Sequence, residues 1–184
     1  MTRTADAPAA IPSIEALDAL PAADFAAAVA PLFEGAPRFL ARLAAARPFG
    51  SDARLLERAR EIARAMPADE QVELIDAHPR LGAPPGSVSA LSFVEQGYDS
   101  EAADRAAEAE RERVATELAR LNAAYEDRFG FRYCVFVAGR PRAGLLAGMA
   151  RALAVDRDAE IRRALDDVVA IATDRLARLR EERS

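Results

Sequence analysis

His78 is the only histidine in a chain of 184 residues, and it stands in the stretch Asp76-Ala-His-Pro-Arg-Leu-Gly82. Imidazole is the side chain that titrates near neutrality, so a lone histidine that does chemistry acts as a general acid or base. Most lone histidines are structural, and the surroundings have to argue otherwise. Here the histidine closes a predicted helix, whose C-terminal dipole favours the charged form. Pro79 keeps the backbone extended, and Gly82, Pro84, Pro85 and Gly86 shape the loop behind it. A shaped loop that presents an ionisable group is a frequent way to build a site.

Two further places carry suitable side chains. In Ser92-Phe-Val-Glu95-Gln96, the hydroxyl, carboxylate and carboxamide share one helical face, being three and four residues apart. The plain reading is a solvated polar face, and the sharper one is a row aimed at a polar ligand. Arg175 lies on the apolar line Ala164, Val168, Ile171, Leu179 of the last helix. An arginine there either binds an anion, pairs with a carboxylate, or snorkels to solvent.

Composition narrows the chemistry. All 25 basic residues are arginines, so no lysine exists to form a Schiff base. With one histidine and one cysteine, a transition-metal site would have to be built mostly from carboxylates, and no metal or other cofactor is expected. The single Cys134 cannot form an internal disulfide, which suits a reducing compartment. A net charge of -5 argues against nucleic acid as the main partner. No apolar run approaches the roughly 20 residues needed to cross a bilayer, and the N-terminus lacks a signal-peptide core. A cytoplasmic protein is expected.

The elements that must position these residues read as helices. The expected fold is a single-domain, all-α bundle of about eight helices, spanning 13–184 after a flexible tail over 1–12. Ser13, Pro21, Pro37, Ser51 or Asp52, Asp69, Ser89, Pro141, and Asp156 or Asp158 mark helix starts. Leu55, Ala59, Ile62 and Met66 form one buried face. The acidic stretch 99–113 is expected to be solvated or mobile before an apolar stripe at Val114, Leu118, Leu121 and Tyr125. Around 132–138, Tyr-Cys-Val-Phe-Val is too short and too rich in β-formers for a helix, and reads as a buried extended segment.

These pieces together resemble one family. Ala46-Arg-Pro-Phe49, Ala77-His-Pro-Arg-Leu-Gly82, Ser92-x-x-Glu95-Gln96, Leu121-Asn-x-x-Tyr125, Phe129-Gly-Phe131, Tyr133 to Arg140 and Arg175-Leu176 are similar to the 2-oxo-4-hydroxy-4-carboxy-5-ureidoimidazoline (OHCU) decarboxylases. These act in urate breakdown and yield (S)-allantoin. The resemblance implies His78 as catalytic acid and Glu95 as a second catalytic residue, either orienting His78 or accepting from ureido N–H groups. It implies Pro79, Ser92, Phe93, Val94, Glu95 and Gln96 around a ureido-imidazoline substrate. Tyr133, Cys134, Val135, Phe136 and Val137 would give largely backbone contacts, and Arg175, or failing it Arg140, would clamp the anion. A homodimer fits the family. Where the family often has a tryptophan, this chain has Arg38. The rival reading is a non-catalytic helical adaptor whose arginines bind an acidic partner.

Overall fold

In the computed structural model of the chain, residues 11–97 and 105–181 are described, apart from the side chains of 85 and 105–107. Three of the expected caps form through hydroxyls. Ser13 Oγ accepts from Ala16 N–H at 3.3 Å, Ser51 Oγ from Arg54 N–H at 3.2 Å and Ser89 Oγ from Ser92 N–H at 3.2 Å. They open α1 (Ile14–Ala19), α4 (Asp52–Ala65) and α6 (Ala90–Glu95). The others are α2 (Ala22–Val29), α3 (Pro37–Ala45), α5 (Ala68–Asp76), α7 (Arg105–Phe129), α8 (Arg142–Ala152) and α9 (Arg157–Glu181). The described residues form an all-α bundle, as expected, with no strand among them.

The differences have local causes. The helix expected from Pro21 to Phe33 stops at Val29 and tightens into a single turn, Ala30–Leu32, because Pro31 cannot donate to the helical ladder. Asp69 does not cap α5. Pro67 takes that position, and Asp69 in the first turn instead pairs with Arg38 at 2.5 Å. Arg38 also holds Glu73, so the residue in the tryptophan's place ties α3 to α5. Packing starts earlier than residue 13. Ile11 is in the core, and Arg180 donates to the carbonyls of Ile11 and Pro12 at 3.1 and 2.6 Å. The expectation for 99–113 falls partly outside the described residues. No helix among those described is long and apolar enough to cross a membrane.

α9 is the frame. α4 and α5 pack on it, and its stripe of Ile161, Ala164, Leu165, Val168, Ala172 and Leu176 is buried. It also takes the place of a partner strand for the segment 132–137. Arg163 Nη1 donates to Cys134 O at 3.0 Å, while Arg132 N–H donates to Asp76 Oδ1 at 2.7 Å and Arg140 Nε to Val137 O at 2.9 Å. Side chains thus satisfy backbone groups that a sheet would otherwise pair. Glu160 anchors Arg163, accepting at 2.6 Å from Nη2 and at 2.7 Å from Tyr125 O–H. Tyr125 packs edge-on against Phe131 and Tyr133, at 5.6 and 5.1 Å between ring centres.

Glu160 is buried, so deleting its carboxylate strands the Tyr125 phenol and leaves Arg163 with Asp167 as its one carboxylate. Glu160→Ala should cost about 3 kcal/mol or more in chemical unfolding. A loss within experimental error would mean that Asp167, which also accepts from Arg163 at 2.6 Å, holds the segment alone.

Candidate active site

Four elements meet at one cleft: the end of α5 with its loop, α6, the segment 133–139, and the C-terminal half of α9. Its free volume, counting the open mouth, is about 530 Å³.

The loop that carries His78 is clasped from two sides. Gln96 Oε1 accepts from Gly82 N–H at 2.8 Å and its Nε2 donates to Arg80 O at 3.3 Å. Asn122 Nδ2 donates to Leu81 O at 3.0 Å. Gly82 is required, since its φ is +78° and a Cβ there would lie 3.0 Å from Leu118 Cδ1.

His78 is 4% exposed. Its Nδ1 lies 3.2 Å from Leu74 O, one turn back on α5. A carbonyl only accepts, so Nδ1 carries the proton and the neutral ring presents a bare Nε2. That Nε2 is buried and has no hydrogen-bond partner among the described residues. Burial and then the nearby Arg175 charge pull the imidazole down to about 4, against smaller upward pulls from Glu34 and the Leu74 carbonyl. The expectation of a ring favoured in its charged form is therefore corrected. A helix-end dipole is worth roughly 0.3–1 kcal/mol, whereas removing an imidazolium from water costs several pKa units' worth.

Arg175 is 1% exposed, so it does not snorkel. Glu95 takes its fork through both oxygens, from Nε at 2.7 Å and Nη2 at 2.9 Å. Glu34 accepts from Nη2 at 2.7 Å, Ser92 Oγ from the same nitrogen at 3.1 Å, and Pro31 O from Nη1 at 2.8 Å. Such a set of partners is what a buried guanidinium demands. At the mouth, Arg178 and Asp174 form an ion pair at 2.6 Å.

This architecture has known counterparts. The family model described as OHCU decarboxylase matches residues 18–177. The chain belongs to the OHCU decarboxylase family. It is 31% identical over 156 residues to 2-oxo-4-hydroxy-4-carboxy-5-ureidoimidazoline decarboxylase of Haloferax volcanii, covering 83% of this chain and 87% of that one. It is 32% identical over 146 residues to the uric acid degradation bifunctional protein PucL of Bacillus subtilis, covering 79% of this chain but spanning only 28% of that longer relative. Its fold matches the crystal structure of (S)-allantoin synthase, with a TM-score of 0.61 at 20% identity over 91% of this chain and 54% of the other. It also matches that of OHCU decarboxylase in the presence of (S)-allantoin, with a TM-score of 0.61 at 21% identity over 79% and 92%.

Most of the residues singled out from sequence converge on the cleft. His78, Pro79, Ser92, Glu95, Gln96 and Arg175 line it, as do Tyr133, Cys134, Val135, Phe136 and Val137. Phe93 and Val94 do not. They sit on the other sides of α6 from Ser92 and Glu95, and Val94 is 46% exposed. Arg140 is exposed, and its guanidinium caps Phe136 O and Val137 O. Cys134 offers no nucleophile, because burial pushes its thiol up to about 12. Sequence reasoning missed Glu34, whose partner Arg175 is 141 residues away. The available signal was slight: an acidic residue between Phe33 and Gly35, in a turn before Pro37.

Arg175→Met leaves two part-buried carboxylates without their cation and should lower stability by about 3 kcal/mol. Arg175→Lys keeps the charge but not the fork, so it should fold better than Met yet bind a ureide poorly. Melting curves and ureide calorimetry on both variants test this. Wild-type affinity in the lysine variant would show that the fork is purely structural.

Proposed function

We propose that this chain releases CO₂ from 2-oxo-4-hydroxy-4-carboxy-5-ureidoimidazoline to leave (S)-allantoin, with His78 handling the proton. The observation that carries the proposal is the buried Nε2 of His78, without a hydrogen-bond partner among the described residues, in a cleft that it shares with the Arg175–Glu95 pair. When the bond from the ring carbon to the carboxylate breaks, its electron pair moves into the adjacent ring C=N. The substrate is thus its own electron sink, and the protein need supply only proton transfer and orientation. For each CO₂ released, one proton is taken up and a new C–H bond forms on one face.

A neutral imidazole is suited to start this sequence, because its lone pair can take a proton from the substrate's 4-hydroxyl. It becomes the donor afterwards, returning the proton to carbon. An entering carboxylate acts on His78 in the opposite sense to Arg175 and stabilises the imidazolium. Arg175 and backbone groups of 133–137 orient the ligand. Glu95 is held by Arg175 through both oxygens, which favours its role as acceptor for ureido N–H groups over one of orienting His78. A homodimer in the cytoplasm belongs to the same reading, and sedimentation of the purified chain tests the dimer. The adaptor reading is the weaker one. Arg42, Arg64, Arg120 and Arg180 each pair with a carboxylate of this same chain, rather than forming a surface that awaits a partner.

His78→Gln should fold and lose roughly 10²–10⁴-fold in turnover, followed through the optical activity of the allantoin formed from fresh substrate. Near-wild-type turnover in this variant would remove His78 from the mechanism. The same variant also tests the protonation state. The native ring stays neutral down to about 4 whereas the unfolded one charges below 6.5, so the unfolded state binds more protons between these values. Wild-type stability is therefore intact above 6.5 and falls, relative to the variant, as pH drops toward 4. A stability gap that stays constant across that window would mean that the ring is charged in the native state.

A further inference from the structure

Glu34 is not on the cleft wall, yet two residues of the wall lean on it. Its Oε1 accepts from Ser89 O–H at 2.8 Å, Ser92 O–H at 2.8 Å and Arg175 Nη2 at 2.7 Å. Burial pushes the Glu34 carboxyl up, but the Arg175 charge and the hydroxyl bonds outweigh this and bring it below the ordinary carboxylate value. It is therefore ionised and can only accept, so both hydroxyls must turn their protons toward it. The consequence falls on Ser92. Its one proton is committed to Glu34, and one of its two lone pairs receives Arg175 Nη2 at 3.1 Å. What Ser92 keeps for the cleft is a lone pair. Without Glu34 the hydroxyl would rotate and serve as donor or acceptor alike.

We propose that Glu34 is a positioning residue for the decarboxylation, fixing the Arg175 fork and making Ser92 a pure acceptor that selects a substrate N–H group. The inference rests on the reading of the cleft given above. A ureido-imidazoline carries several N–H donors, and an analogue with a carbonyl or ether oxygen at that position would face Ser92 lone pair to lone pair. Glu34 has a second, electrostatic action, since its charge favours a proton on His78 and opposes the effect of Arg175. The other charged groups around His78 are Glu95 on α6, Asp174 and Arg178 on α9 at the mouth, and Arg132, whose Nη1 reaches His78 O at 3.4 Å. Tyr133 and Cys134 complete the titratable set on the facing segment.

The test compares Glu34→Gln, Glu34→Asp, Ser92→Ala and the Glu34→Gln/Ser92→Ala double variant in the full chain. Kinetics on fresh substrate are combined with NMR titration of the one histidine ring. Glu34→Gln should lower kcat by up to about a hundredfold, with KM changed far less, and should move the His78 midpoint down. Glu34→Asp keeps the charge but withdraws the carboxylate by one methylene. It should lose kcat while leaving the His78 midpoint near its wild-type value. The double variant should lose less than the product of the two single losses, because both changes act in part through the Ser92 hydroxyl. Wild-type kcat in either Glu34 variant, losses that multiply in the double variant, or an unmoved His78 midpoint in Glu34→Gln would each overturn the proposal. Should Glu34→Gln fail to fold, kcat of the Asp variant decides. A wild-type chain inactive on fresh substrate would remove the decarboxylase reading itself, and the His78 titration would still judge Glu34.

Discussion

The site depends on keeping a fully desolvated guanidinium charged and paired. Arg175 takes its position on an apolar stripe of α9, where an unpaired cation is prohibitively costly. Two carboxylates and a carbonyl must therefore come to it, from two distant parts of the chain. Glu95 brings α6, Glu34 brings the turn before α3, and Pro31 O brings the tightened turn after α2. A bidentate fork has little tolerance for displacement, so this one demand sets where α6 lies against α9. Ser92 and Gln96 follow, since they are on the same short helix, and Gln96 in turn clasps the loop that carries His78. The catalytic candidate is thus located through a chain of contacts that starts at Arg175.

A second network repeats the arrangement further up α9. Arg163 is also given two carboxylates, Glu160 and Asp167, and a backbone carbonyl, Cys134 O. Twelve residues separate the two arginines, about 18 Å along a helix. One anchors the wall built from 133–137 and the other the wall built from α6. Buried ion pairs of this kind contribute little net stability over well-packed apolar groups. What they supply here is geometry, since both walls of the cleft are referred to one rigid helix. Helices packed through apolar contacts alone would leave the register of α6 and of the irregular segment far less defined.

How much of this was legible in the sequence follows from the range of the interactions. The His-Pro loop, the Ser-x-x-Glu-Gln face and the misplaced arginine were legible because each is a local pattern with a local physical meaning. Within 132–138 the burial of Tyr133, Cys134 and Val137 was legible from the β-formers, although Ala138 is exposed, but the partners were not, since they are arginine and aspartate side chains rather than a strand. Glu34 was illegible for the same reason, because nothing near it in the chain shows that a guanidinium 141 residues away will need it. His78 shows the limit most clearly. Its place at a helix end argued for a charged ring, and the helix end is real, but burial and Arg175 reverse the sign.

That reversal bears on how a single titratable side chain can serve a reaction that consumes a proton. A permanently charged imidazole would hold an anionic substrate well but would have no lone pair with which to begin. One held neutral by burial and by Arg175 has the lone pair, and it gains affinity for a proton when a carboxylate arrives. Glu34 already acts on the ring in that direction, against Arg175. In the proposed reaction the substrate's carboxylate would add to this by favouring a proton on His78. On the proposed mechanism, departure of CO₂ would remove that stabilising charge, make the imidazolium a stronger acid and release the proton to carbon. A neutral His78 is thus the form from which the proposed cycle would start, with its driving charge carried by the substrate.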